Sequence, residues 1–203
     1  GAIPDFNAVT NITMANLAVY NGGRLILTNA HSYPGVPLAY TGRTLRADGV
    51  NSLLDLSTLT NFIGGTAVYA TVYIQAFNGG HILLTGVALI PASNFEVRSE
   101  GAGSLVDLAS LTATAAYSST FQALSGGIIN APLLTDPSGI NIVLGAGSLI
   151  PTAQFTRLVN GSVTVTGTNL NLTGLTNLSF STITVNAGGS LTKVEQIPRV
   201  ITP

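Results

Sequence analysis

The sequence predicts an all-β fold, a right-handed parallel β-helix of about seven to eight rungs, each of roughly 24 residues. Three observations predict it: a long internal repeat, shorter echoes inside that repeat, and period-2 alternation between glycine-bearing turns.

The long repeat sets residues 9–25, VTNITMANLAVYNGGRL, against residues 175–191, LTNLSFSTITVNAGGSL. The offset is 166, with identities at Thr10/Thr176, Asn11/Asn177, Val19/Val185, Gly22/Gly188, Gly23/Gly189 and Leu25/Leu191. Apolar positions agree as well: Ile12 with Leu178, Met14 with Phe180, Leu17 with Ile183. The 203 residues are therefore expected to form one β-helix domain, one 166-residue super-repeat plus the start of the next. Gly1-Ala2-Ile3-Pro4 reads as the start of a trimmed or processed piece of a longer array.

Inside the super-repeat, residues 48–60, DGVNSLLDLSTLT, return at offset 52 as EGAGSLVDLASLT. Residues 89–95, LIPASNF, return at offset 60 as LIPTAQF. A small-residue turn followed by an apolar pair or alternation recurs from Asn21, Asn78, Gly101, Ser125, Gly145, Asn160 and Ala187. Seven intervals across the 166 residues give the mean rung. The stretch from Asn29 to Thr44 is expected to be the longest loop.

Alternation such as Ser162-Val163-Thr164-Val165-Thr166 and Ser181-Thr182-Ile183-Thr184-Val185 marks strands with one buried face. No long segment carries a capped 3.6-residue period, and the strict leucine pattern of leucine-rich repeats is missing. An antiparallel sandwich would show two-residue hairpins every 8–12 residues and no equivalence across rungs. Right-handed coiling follows from the chirality of parallel crossovers. A rise of about 4.8 Å per rung makes the super-repeat roughly 34 Å long.

Composition agrees with a dry core and a neutral surface. Apolar residues make up 46% and charged residues 7%, the reverse of the balance that produces disorder. The surface must be kept wet by 25 Thr with Ser and Asn, and Thr suits pleated backbone. No apolar run reaches the roughly 18 residues that cross a bilayer, so membrane insertion is not expected. A net charge of −1 and scattered cations give no reason to bind nucleic acid. Cysteine is absent, which excludes disulfides and thiolate metal sites and is compatible with export.

The turns NGG-x-[LI]-x-[LV], the segment G-[AV]-[GN]-S-L-[LV]-D-L-[AS]-x-L-T and LIP-x-x-x-F together resemble repeats of giant bacterial surface proteins built from parallel β-helix arrays. The resemblance runs from about Asp5 to Lys193 and is more distantly similar to the shafts of haemagglutinin-type adhesins. It implies a secreted, cell-surface or filamentous role and carries no catalytic motif.

Catalysis needs acids, bases or nucleophiles held together, and the candidates are Asp5, Asp48, Asp55, Asp107, Asp136, Glu96, Glu100, Glu195, His31 and His81. Asp55 and Asp107 hold equivalent places in the offset-52 repeat. Two rungs apart they would stand about 10 Å from each other, near the spacing of inverting glycosidases. A device that recurs is better read as a turn cap. Arg43, Arg46 and Asp48 form the one local cluster of the kind a polysaccharide lyase uses, and two arginines with one aspartate in a loop are better read as a surface charge network. His31 and His81 are isolated, so no metal or cofactor is expected. The glycine segments lack the ending of a phosphate loop and the aspartate of calcium-binding nonapeptides, so Gly22, Gly23, Gly79, Gly80, Gly188 and Gly189 are read as turn glycines accepting positive φ. Tyr33, Tyr40, Tyr69 and Tyr73 are the candidates for stacking on glycans, led by Tyr33 and Tyr40 beside the loop Ser32–Pro37. Asn11, Asn160, Asn171 and Asn177 match the N-glycan acceptor pattern, which chance supplies in a chain this rich in Asn and Thr.

The expectation is thus a non-enzymatic extracellular structural or adhesive rod that stacks end to end on copies of itself. The competing expectation is a carbohydrate-binding or polysaccharide-cleaving module.

Overall fold

The computed structural model describes residues 6–116 and 119–193, and the candidate acids Asp5 and Glu195 lie outside them. The described residues contain strands and no helix. They form a β-solenoid of seven turns.

Its first face is an eight-stranded sheet: Leu17–Tyr20, Gly42–Asp48, Thr71–Phe77, Phe95–Glu100, Ser119–Leu124, Ile140–Leu144, Ser162–Val165 and Thr182–Val185. Each strand pairs in parallel with the equivalent strand of the next rung. A second face stacks Arg24–Ile26, Leu53–Asp55, His81–Leu83, Leu105–Asp107 and Ile128–Asn130, also in parallel, and a bridge adds Leu149 to that column. The third face is made of shorter pairs: Ser32–Tyr33 with Asn61–Phe62, Leu89–Ile90 with Ala113–Thr114, and Arg157–Val159 with Asn177–Ser179. An isolated bridge between Gly65 and Asn94 is antiparallel, and the ladders around it are not.

Alternation decides which side chains enter the core. On the first face one inward column runs Leu17, Leu45, Ile74, Val97, Phe121, Ile142, Val163, Ile183. From Leu45 to Ile183 every member of it is buried. The second face sends Leu54, Ile82, Val106 and Ile129 inward, all fully buried. After it the chain turns tightly, and the same hydrogen bond recurs: Leu59 N–H to Leu56 O, Val87 to Leu84, Leu111 to Leu108, Leu134 to Ala131, Phe155 to Thr152, Leu175 to Leu172. Stacking like on like is therefore how both apolar area and backbone polarity are satisfied.

The 166-residue offset is seven turns in length, since Leu17 and Ile183 head and close one column. The 52-residue offset is two turns: Asp48 pairs with Phe77 and Phe77 with Glu100. The turns shorten along the chain, from 28 and 29 residues at the start to 20 at the end.

Three expectations are corrected by the register. Residues 89–95 and 149–155 are not equivalent, because Leu89 pairs with Ala113 on the third face while Leu149 joins Ile128 on the second. The turn at Asn160-Gly161 enters the first face, whereas the turns from Asn21, Asn78, Gly101, Ser125 and Gly145 leave it. The corner positions that complete the series are Gly49 and Gly167. Finally, Asn29 to Thr44 is no loop: Ser32–Tyr33 and Val36 stack on Asn61–Phe62 and Gly65 of the next rung. The early rungs are longer because their third side is built out.

The glycine pairs at the corner divide their work. The first of each takes positive φ: Gly22 at 80°, Gly79 at 86°, Gly188 at 72°. The second does not. A Cβ at Gly80 would stand 2.3 Å from the Ala47 carbonyl oxygen of the rung before, whereas at Gly23, in the first rung, the nearest atom is Tyr20 O at 3.1 Å and at Gly189 it is Asn186 O at 3.0 Å. Gly80 is a close-approach glycine, a different requirement from a turn conformation. Buried serines complete the corner. The N–H groups of Gly22, Gly79 and Gly126 donate to Ser52, Ser104 and Ser148 Oγ, each at 3.0 Å, in the rung that follows. Ser52 and Ser104 Oγ in turn donate to Asp48 O and Glu100 O at 2.7 Å. Rungs with NGG or SGG turns thus alternate with rungs carrying a G-x-x-S turn, and each hydroxyl bonds across the boundary.

Candidate functional site

Two regions stand out among the described residues: an aromatic corner on the early rungs, and the edge of the first face at its last described strand.

The aromatic corner lies where the chain enters the first face. Tyr40 and Tyr69 both take left-handed backbone conformations, φ 56° and 54°, which bulky residues seldom adopt. The Tyr40 N–H bonds Val68 O, so the two corners stack, and the rings sit one above the other with centroids 5.2 Å apart and planes tilted by 34°. Both are exposed, at 79% and 73%. Tyr73 points outward four residues after Tyr69, on the strand that follows it, and leans over Gly42, where a Cβ would meet its Cε2 at 2.9 Å. Beyond these rings lie the fourth and fifth rungs. A cleft of about 440 Å³ opens there, lined by Tyr69, Thr71, Tyr73, Asn94, Phe95, Glu96 and Thr120.

Tyr33 is not part of this surface, and its reading as a glycan contact is withdrawn. It is fully buried and stacks on Phe62 at 5.6 Å with its hydroxyl donating to Ala15 O at 3.1 Å. Burial pushes its pKa up to about 12, against a small opposing pull from Arg43. Period-2 alternation through the supposed loop turns Tyr33 inward.

The charged candidates resolve into structural pairs. Arg46 Nη2 bonds Asp48 Oδ2 at 2.7 Å, and two rungs on Arg98 Nη2 bonds Glu100 Oε2 at 2.6 Å. Between them lies Phe77, with the Arg46 guanidinium 4.7 Å and the Arg98 guanidinium 5.5 Å from its ring centre. The hydrogen bond from Arg46, then that from Asn78, holds the Asp48 carboxyl below the usual carboxylate range. Arg43 turns away from this group, its Nε donating to Met14 O at 2.7 Å. Arg98 and Glu100 were legible as a partnership in the offset-52 repeat, where Arg46-Ala47-Asp48 returns as Arg98-Ser99-Glu100.

Asp55 and Asp107 stand in one column with Leu83 between them. Asp55 Oδ1 accepts the Ser57 N–H at 3.0 Å, a local cap, and Asp107 Oδ1 accepts Asn130 Nδ2 at 2.9 Å from the next rung. His31 Nδ1 lies 3.1 Å from Thr58 O and His81 Nε2 3.0 Å from Gly103 O. Each of these groups is occupied with its neighbours.

At the far edge, Thr182–Val185 is the last strand of the first face among the described residues. The Thr182 and Asn186 N–H groups bond Gly161 O and Val165 O of the rung before. Alternation in a parallel ladder turns the amides of Ile183 and Val185 the other way, off the edge. Phe180, in left-handed conformation at this rung's corner, is 90% exposed. Its counterpart 166 residues earlier, Met14, is partly buried, because the second rung lies over it. That rung supplies Arg43 Nε to Met14 O, Tyr33 Oη to Ala15 O and the Thr44 N–H to Asn16 Oδ1.

No family model, no curated protein and no solved structure matches the chain.

Proposed function

We propose that this chain is an extracellular, non-catalytic rod module of a larger cell-surface or filament-forming array, and that its last rung receives a further rung, including the first built-out rung of a second copy. The observation that carries the reading is the seven-turn register. Residues 180–185 repeat the position of residues 14–19, which the second rung covers. The last rung presents the same backbone pattern and an uncovered Phe180. A strand edge whose outward amides find no partner among the described residues, with an apolar side chain beside it, invites strand addition. The resemblance to surface-protein repeat arrays and the Thr-rich neutral composition support an exported location. The ties of Asp48, Asp55, Glu100, Asp107, Arg46 and Arg98 to structural neighbours support a role without catalysis.

Sedimentation velocity over a concentration series tests this. Elongated oligomers are expected to grow toward about millimolar concentration. Val185→Pro removes an amide that points off the edge and leaves the bonds to the preceding rung in place, so it should return the protein to monomer with an unchanged β circular dichroism spectrum. A strict monomer throughout the series would contradict end-to-end association.

A further inference from the structure

We propose that the cleft beside Tyr69 binds an uncharged oligosaccharide, one pyranose ring lying against the Tyr69 face and its hydroxyls meeting Glu96, Asn94, Thr71 and Thr120. This goes beyond the rod reading and does not depend on it.

Four observations carry the proposal. Two tyrosine rings are held out in solvent at 79% and 73% exposure, although burying a ring is favourable and the core of this rod has aromatic positions to give. Both are held there by left-handed backbone, which is unfavourable for a residue with a side chain. Other rungs enter the first face through left-handed residues at Met14, Gly139, Asn160 and Phe180, which stand three residues before the inward column where Tyr40 and Tyr69 stand five before it, so the turn into this face does not require a tyrosine. Third, Tyr69 and Tyr73 stand at the edge of a cleft of about 440 Å³. Fourth, the lining chemistry is specific. It offers two tyrosine rings beside the buried Phe95, two threonine hydroxyls, one carboxamide and one carboxylate, and no cation among the described lining residues.

That set matches the two faces of a sugar. A pyranose presents C–H groups to a ring and hydroxyls around its rim, and neutral acceptors and donors satisfy the rim. A phosphate or nucleic-acid backbone would need a cation in the cleft. A uronic acid would bring its carboxylate against Glu96. A flat, open ledge with one carboxylate also binds without cleaving, since glycoside hydrolysis uses two.

The test uses the purified chain, titrated with cellohexaose, xylohexaose and N-acetylchitohexaose, and with an oligogalacturonate as the anionic counterpart. The chain has no tryptophan, so tyrosine fluorescence reads the site, and amide shifts in a heteronuclear NMR spectrum locate it. At least one neutral hexasaccharide is expected to bind with shifts at Tyr69, Thr71 and Asn94. Tyr69→Asn removes the ring and keeps a residue that tolerates the left-handed corner, so its fold is retained. It should weaken binding by at least about tenfold. Glu96→Gln should admit the oligogalacturonate that the wild type excludes. Failure of all three neutral sugars to bind, binding of the oligogalacturonate alone, or a loss smaller than tenfold in a folded Tyr69→Asn protein would overturn the proposal.

Discussion

Phe121→Ala is expected to lower the free energy of unfolding by about 3–5 kcal/mol, read as a fall in the urea midpoint at constant m-value. Phe121 is fully buried in the first-face column, with Val97 before it and Ile142 after it, and its ring lies 6.0 Å from that of Phe95. The loss has two parts, the transfer of the removed atoms and the cavity left behind. The cavity term is large here because both neighbouring rungs are fixed by continuous ladders and cannot close on it. Phe180→Ala is the matched control. The same side chain type, 90% exposed at the last rung, should change stability by no more than about 0.5 kcal/mol. Equal effects at the two sites would mean that the inward column is misassigned.

Gly80→Ala is expected to cost about 1–3 kcal/mol, and Gly23→Ala much less, by thermal or urea unfolding. Both are the second glycine of an NGG turn, and sequence alone ranks them together. The difference is what lies beneath. Gly80 has the Ala47 carbonyl oxygen 2.3 Å from where its Cβ would be, so the rung boundary itself must open. Gly23 sits in the first rung, and its nearest contact is 3.1 Å away within its own turn. A substitution that costs the same at both positions would show that the glycines serve the turn and not the stacking.

The same contrast shows how far the sequence can be read. Equivalence across rungs was visible because stacking demands like residues at like positions, and Leu17 with Ile183, or Asp55 with Asp107, are such pairs. The repeat at offset 52 was a true two-rung step for a further reason: NGG corners alternate with G-x-x-S corners, and Ser52 and Ser104 do the same job two rungs apart. The direction of a turn was not legible. Asn160-Gly161 and Asn21-Gly22 carry the same dipeptide, yet one enters the first face and the other leaves it. The LIP echo failed because a short apolar strand fits any of the three faces, and only hydrogen-bond partners distinguish Leu89 from Leu149.

Of the four candidate tyrosines, Tyr40 and Tyr69 are exposed, Tyr73 is half-buried on the outward side of its strand, and Tyr33 was misplaced. The proline-bearing segment around Tyr33 suggested a loop, and a loop tyrosine is read as exposed. Stacking of Ser32–Tyr33 on Asn61–Phe62 overrides that local signal, since a ring with a neighbour to stack on is better buried. Glu96, Asn94 and Thr120 carry no motif. They meet Tyr69 only because successive rungs bring residues more than 20 positions apart to one surface.

The most direct test of in-register parallel stacking is a set of electron–electron distances between spin labels, for which a chain without native cysteine is well suited. Ala18, Gln122 and Thr184 stand in one outward column of the first face, at the first, fifth and eighth strands. Labels at Ala18→Cys and Gln122→Cys should lie about 19 Å apart, and labels at Ala18→Cys and Thr184→Cys about 34 Å apart, one strand spacing per rung whatever the number of residues between. A separation at Thr184 equal to or shorter than that at Gln122 would mean that the chain folds back on itself, and the solenoid would be wrong.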